Sequence, residues 1–182
     1  KAHNLDVKAS NLCTEIMLHS GEEETFTCIL ASMNLEKYDE WKDTDAVFTA
    51  TVFLDCVTSE FLSMAAGKRG FEKAVASTEK SRALGLGVLG WHSLLHKKMI
   101  PFESFQARKL NVEIFDGLNQ KSTEASRYLA VQLGEPTYCK GYGVRNTHRL
   151  AVAPTMSTSQ LMGGVSQGIE PFIGNVFVQQ GA

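Results

Sequence analysis

Ala83-Leu-Gly-Leu-Gly-Val-Leu-Gly-Trp-His-Ser-Leu-Leu-His96 is the stretch that decides how this chain folds. Ala83–Leu89 is apolar, long enough for a strand and too short for a helix, whereas Trp91–His96 has helical spacing and ends before Pro101. A strand running straight into a helix is the unit from which α/β proteins are assembled. Gly85, Gly87 and Gly90 spell GxGxxG across that junction. A dinucleotide fingerprint needs in addition a closed βαβ unit and an acidic residue ~20 positions further on. Here another long helix follows Pro101, and Gln106–Lys109 offers no carboxylate. The glycines are read as residues that let a strand pack closely where it meets a helix, and a dinucleotide site is rejected.

Working outward, Asp43–Met64 carries Val47, Phe48, Val52, Phe53, Leu54, Val57, Phe61 and Leu62 at helical intervals, with Asp43 or Thr44 as the cap. Before it, the polar turn Gly21–Thr25 leads into Phe26–Leu35, which is β-branched and apolar and predicts a buried strand with Cys28 near its start. Lys8–Met17 is too short to assign. Downstream of Pro101, Glu103–Leu133 predicts a long helix, with Gly117 as a candidate break and Gly134 and Pro136 as stops. Arg149–Ala153 is a strand candidate, followed by the hydroxyl-rich loop Pro154–Ser159. The order strand, helix, strand, helix, strand predicts an α/β fold with helices covering a mostly buried sheet.

Composition agrees. The chain has 182 residues, 43% hydrophobic and 21% charged, with 18 basic against 20 acidic side chains for a net charge of −2. That balance suits one globular domain and leaves no basic footprint for nucleic acid. No uninterrupted apolar run approaches the ~18 residues of a membrane span, so neither a nucleic acid nor a membrane is expected as partner. Cys13, Cys28, Cys56 and Cys139 match no CxxC zinc spacing, and they are expected to be unpaired thiols in a reducing cytoplasm. Lys1 is not a methionine, and Phe177–Ala182 reads as a strand or helix still in progress. Residues 1–182 are therefore expected to be one partial domain, cut at both ends.

Two segments carry chemistry. In Ser10-Asn-Leu-Cys-Thr-Glu15, an extended chain would present Asn11, Cys13 and Glu15 to one side, about 6.5–7 Å apart per step, with Leu12 and Thr14 on the other. An amide that orients, a sulfur that reacts and a carboxylate that accepts a proton form a catalytic set. The bland alternative is a strand edge with incidental polar residues. In Pro154-Thr-Met-Ser-Thr-Ser159, a short helix starting near Ser157 would point free N–H groups and hydroxyls outward, an arrangement suited to a phosphate. Its bland alternative is an ordinary helix cap.

These segments, in this order, bring in a family. SNLCTEI resembles the finger-loop motif of the large, catalytic subunit of ribonucleotide reductase. ALGLGVLGWHSLLHKKMIPFES and APTMSTSQLMGGVSQGIEP are similar to two further signatures of that family, the second being its substrate-phosphate loop. The resemblance spans essentially the whole chain and is greatest to class I enzymes of phage or bacterial kind. It implies part of a ten-stranded α/β barrel, with Cys13 on a loop reaching into the barrel.

The implied function is reduction of ribonucleoside diphosphates to 2′-deoxyribonucleoside diphosphates by thiyl-radical chemistry. By the same resemblance Cys13 is the radical site, Glu15 the base for the 3′-hydroxyl, and Asn11 a hydrogen-bonding partner of the ribose. Cys28 is one of two reducing thiols, the other lying outside this sequence. Asn11, Leu12, Cys13, Thr14 and Glu15 would surround the ribose; Pro154, Thr155, Met156, Ser157 and Thr158 would hold the diphosphate. Cys56 and Cys139 are left as structural. The five histidines form no ligand set, so no metal is assigned to this chain. The implied partners are a radical-generating small subunit with a diiron or dimanganese centre, a second large subunit, and thioredoxin or glutaredoxin. ATP- or dATP-type effectors would bind an N-terminal part. The rival readings are a class II enzyme using adenosylcobalamin, and a non-catalytic piece of a split reductase.

Overall fold

β1 (Leu30–Asn34) and β2 (Gly85–Leu89) lie side by side and parallel, Leu30 opposite Gly85 and Asn34 opposite Leu89, in a computed structural model that describes residues 5–178. Parallel neighbours cannot be joined by a tight turn. The crossover here is a 3-10 turn (Leu35–Lys37), α1 (Tyr38–Trp41), α2 (Ala46–Ala65) and α3 (Glu72–Ser81). From β2 the chain passes through α4 (Trp91–Lys97) and α5 (Phe105–Leu133) and returns beside β2, where Leu86 and Leu150 form a parallel bridge. α6 (Met156–Leu161) follows.

The predicted α/β order is present, with corrections at the edges. The strand expected over Phe26–Leu35 is only Leu30–Asn34, and every residue in it is half-buried rather than buried. Among the described residues β1 has a strand partner on one side only, so its outer edge stays open. The strand expected over Arg149–Ala153 shrinks to the single bridge at Leu150, supported by bonds from Leu86 N–H to the Arg149 carbonyl (2.8 Å) and from Ala151 N–H to the Leu86 carbonyl (3.2 Å). α3 is a helix that the polar stretch after Met64 did not announce; Ser77 and Thr78 are its buried positions, so it has no apolar stripe to read. α5 runs through Gly117 unbroken. Asp45, with no side-chain bond, occupies the N-cap of α2, while the expected Thr44 accepts from Ala46 N–H at 3.2 Å. Phe177 and Val178 are in neither strand nor helix, and 179–182, like His3, lie outside the described residues.

β2 is where the glycines matter. All five of its residues are buried. A Cβ on Gly85 would strike the Leu30 side chain and the Ala151 Cβ, and one on Gly87 would overlap the Ala151 carbonyl. The close-packing reading of GxGxxG is therefore correct. The opposite face, Leu84, Leu86 and Val88, packs with Leu35, Val47, Leu54, Leu94, Leu95, Ile114 and Leu118 in the main core. A smaller cluster of Ile16, Leu18, Ala83 and Ala151, with Phe26 and Leu30 against it, holds the segment after Cys13 to the strands. By length and apolarity α2 could cross a membrane (mean hydropathy 1.3), but its Asp55 is 1% exposed and paired inside this fold.

Candidate active site

Residues 11–15 are a closed turn, not the extended strand expected. Asn11 makes it so. Its N–H donates to the Ile16 carbonyl (3.2 Å), its carbonyl accepts from Thr14 N–H (3.2 Å), and its Oδ1 accepts from Ile16 N–H (3.3 Å). Thr14 completes the loop in the left-handed region, φ 63°. Ile16 and Leu18, in the small core, anchor the loop's far side. The tip is thereby pushed into the open: Leu12 is 97% exposed, and Cys13 and Thr14 are exposed as well.

Cys28 reaches the same place by a separate route. The chain before it is fastened to α3: Thr25 N–H donates to the Lys73 carbonyl (3.1 Å), and the Thr27 and Thr78 hydroxyls meet at 2.8 Å. Glu24, 7% exposed, accepts from Lys80 Nζ (2.5 Å) and from the Tyr138 hydroxyl (2.7 Å). Burial pushes the Glu24 carboxyl up, yet Lys80 and Tyr138 outweigh it and hold it below its usual range. Asn11 Nδ2 then donates to the Cys28 sulfur at 3.6 Å. Burial pushes the Cys28 thiol up, the Asn11 donor pulls it down, and the negative charges of Glu15 and Cys13 push it up again. Glu15 keeps one oxygen, Oε2, buried without a hydrogen-bond partner. An unpaired buried carboxylate oxygen is costly, and it is the kind of group a substrate hydroxyl would satisfy.

Asn11, Cys13, Glu15 and Cys28 are thus gathered into one group. The second predicted segment stands apart from it, with no hydrogen bond between them among the described residues. Cys28 precedes β1, whereas Pro154–Thr158 follows the Leu150 bridge to β2, at the carboxyl ends of the parallel strands, the side where open α/β sheets bind ligands. The helix there begins at Met156, one residue before the expected Ser157, with Thr155 as its N-cap at φ 55°. Thr155 Oγ1 accepts from Gly168 N–H (2.8 Å) and Ser159 Oγ donates to the Met156 carbonyl (2.8 Å), while Ser157 and Thr158 are exposed.

Sequence reasoning missed the support behind that loop. Ser166 Oγ accepts from His92 N–H (3.0 Å) and Ser93 N–H (3.2 Å), and its carbonyl accepts from Gly90 N–H (2.8 Å). His92 Nδ1 accepts from Phe172 N–H (2.9 Å). Val165–Phe172 therefore bridges the start of α4 and the cap of α6; the signal was the GVSQGIEP tail of the APTMSTSQLMGGVSQGIEP motif, in which a Cβ on Gly168 would crowd the Ala153 carbonyl. The remaining cysteines differ from each other. Cys139 is fully buried, and burial raises its thiol to about 12; Cys56 is exposed on α2.

The profile of the ribonucleotide reductase barrel domain matches residues 1–139 and 137–182. The chain belongs to the ribonucleotide reductase barrel family. The putative ribonucleoside-diphosphate reductase large subunit of Frog virus 3 (isolate Goorha) is 41% identical to it over 181 residues, which is 99% of this chain and 32% of that protein. The vitamin B12-dependent ribonucleoside-diphosphate reductase of Thermoplasma acidophilum is 32% identical over 190 residues, 96% of this chain and 23% of that one. Among solved structures, the class Id ribonucleotide reductase alpha subunit of Actinobacillus ureae superposes with a TM-score of 0.93 at 50% identity, over 96% of this chain and 34% of that one. The chain spans about a quarter to a third of the length of these reductases, and its strands and helices are a fragment of their α/β barrel.

Proposed function

We propose that this chain is the catalytic part of a ribonucleoside-diphosphate reductase large subunit, and that Asn11, Cys13, Glu15 and Cys28 reduce the ribose by thiyl-radical chemistry. The observation that carries it is the convergence of the Cys13 thiol, the Asn11 amide and the unsatisfied buried Glu15 oxygen of one loop with the Cys28 thiol of a second segment. In this reading Cys13, as a radical, takes the 3′ hydrogen atom and Glu15 takes the 3′-hydroxyl proton. The 2′-hydroxyl leaves as water with a proton from a reducing thiol. Cys28 and a second thiol close to a disulfide as their two electrons reduce C2′, and Cys13 returns its hydrogen. Leu12 and Thr14 flank the ribose. Pro154, Thr155, Met156, Ser157 and Thr158 hold the diphosphate at the far end.

The radical reaches Cys13 from a separate small subunit with a diiron or dimanganese centre, a second large subunit completes the assembly, and thioredoxin or glutaredoxin reduces the disulfide. ATP- or dATP-type effectors bind elsewhere in the protein, and the setting is cytoplasmic. The B12-dependent relative keeps one other reading open, in which adenosylcobalamin generates the radical; a cobalamin requirement for turnover would select it. The test is a pair of variants in the active enzyme. Cys13→Ser should abolish turnover while nucleotide binding persists, and Cys28→Ser should prevent loss of two titratable thiols in one turnover. More than a few percent activity in Cys13→Ser would overturn the assignment.

A further inference from the structure

We propose that Asn11 is a positioning residue for Cys28 before any nucleotide arrives: one side-chain amide both closes the Cys13 loop and holds the Cys28 sulfur. Its two ends do different things. Oδ1 takes the Ile16 N–H (3.3 Å), which together with the backbone pair Asn11–Ile16 (3.2 Å) closes the turn. Nδ2 is thereby aimed outward at the Cys28 sulfur, 3.6 Å away, within the usual reach of an N–H···S bond. A planar amide cannot turn one end without moving the other, so the orientation of Asn11 is set by the loop and imposed on the thiol.

The consequence lies in the charge around Cys28. Glu15 and Cys13 both disfavour a negative sulfur there, and Asn11 is the group that favours one. A donor on a thiolate stabilises it, and a thiolate, not a thiol, exchanges with disulfides. In the substrate-free state burial and the neighbouring charges hold the Cys28 thiol above its ordinary value, and the Asn11 amide offsets part of that rise. The significance of that offset rests on the proposed reductase chemistry, whereas the hydrogen bond and its effect on the thiol do not.

The experiment is carried out on the active enzyme without nucleotide. Alkylation of Cys28 and Cys13 by iodoacetamide, both exposed, is followed from pH 6 to 10 by peptide mass spectrometry. Asn11→Ala should move the Cys28 midpoint upward by about 0.5–1 pH unit, the size of one ordinary hydrogen bond. Asn11→Asp keeps an acceptor for Ile16 N–H, loses the donor and adds a negative charge, and should move it further. The Cys28 midpoint should return in Asn11→Gln only as far as the longer amide restores the contact. A native midpoint in both Asn11→Ala and Asn11→Asp would overturn the proposal. So would a fall of the Cys28 midpoint in Asn11→Ala, since a loop that has simply come apart frees the sulfur from burial and from the charges of Glu15 and Cys13. An inactive Cys13 or Cys28 chemistry would fail the turnover tests above and leave these midpoints where they are.

Discussion

Arg82 and Asp55 meet in a two-pronged ion pair inside the protein, Nε donating to Oδ1 at 2.9 Å and Nη2 to Oδ2 at 2.9 Å. Their side chains are 7% and 2% exposed. Arg82 sits at the C-cap of α3 with φ 41°, a conformation that turns its side chain back to the middle of α2. Arg145 Nε (3.1 Å) and Asn146 Nδ2 (3.0 Å) occupy the remaining faces of the carboxylate. One acidic side chain thus ties α2, the end of α3 and the approach to the Leu150 bridge together.

Removing it should be costly. Asp55→Ala leaves two guanidiniums without their carboxylate, and breaking a buried pair from one side typically costs about 3–5 kcal/mol. Urea unfolding followed by circular dichroism measures it. A loss below about 1 kcal/mol would mean that water or another carboxylate takes over.

The same carboxylate sets an acid limit. Burial pushes Asp55 up, but Arg82, Arg145 and Asn146 outweigh it and hold the group below its ordinary value of 3.8. A depressed folded-state value contributes stability that is complete above the ordinary value and is lost as pH falls through the folded one. The Asp55→Asn variant should therefore show a flatter fall in stability below about pH 4 than the parent chain. Parallel acid curves for the two would assign the acid limit to other carboxylates.

Two glycines should respond oppositely to the same change. Gly87→Ala would drive a Cβ into the Ala151 backbone carbonyl, which cannot move without parting the strands, so the variant is expected to lose at least about 1–3 kcal/mol. A Cβ on Gly117, within α5, meets nothing within 4 Å, and Gly117→Ala should gain about 0.5–1 kcal/mol. Thermal melts of the two variants decide it, and equal shifts would refute the packing account of β2.

His92 gives a second pH dependence, of the opposite end of the acid range. Its Nδ1 must be unprotonated to accept from Phe172 N–H, and burial together with the neighbouring His96 lowers its pKa below 6.5. The folded state therefore binds this proton more weakly than the unfolded chain. Its stability contribution is complete above 6.5 and disappears as pH falls through the lower folded value. The melting temperature should drop across that window in the parent and drop less in His92→Asn, whose amide oxygen can accept without titrating. An equal drop in both would place the titration elsewhere.

The diphosphate-binding role proposed for Pro154–Thr158 can be probed by charge. Ser157 and Thr158 are exposed at the start of α6, and the chain has no acidic residue between Pro154 and Glu170. Ser157→Asp should weaken binding of a ribonucleoside diphosphate to the active enzyme far more than Ser157→Ala, whose backbone N–H survives. Isothermal titration with the diphosphate and with the free nucleoside provides the measurement. Equal losses for both ligands would return Pro154–Ser159 to a plain helix cap.

Local chemistry made much of this legible in advance. Short apolar runs broken by glycine and proline mark β1, β2, α4 and α5, because strand and helix periods and their stops are properties of neighbouring residues. The glycines at 85 and 87 were readable as packing devices from their place on a strand, and SNLCTEI and PTMSTS carried the resemblance to the family that the whole chain matches. What the sequence could not decide was set by distant partners. Whether 11–15 is extended or turned depends on Asn11 finding Ile16 and Cys28, seventeen residues away in the second case. α3 is held by Glu24, Thr27 and Arg82 contacts and not by an apolar stripe, so its pattern was silent. Arg149–Ala153 has strand propensity, yet only Leu150 bridges, because pairing requires an aligned neighbour as well as an extended backbone. The sequence by itself determined the family and the order of strands and helices; the tertiary structure alone decided that the strands pair in parallel and that Asn11, Cys13, Glu15 and Cys28 converge, since that depends on two separately anchored segments meeting across space.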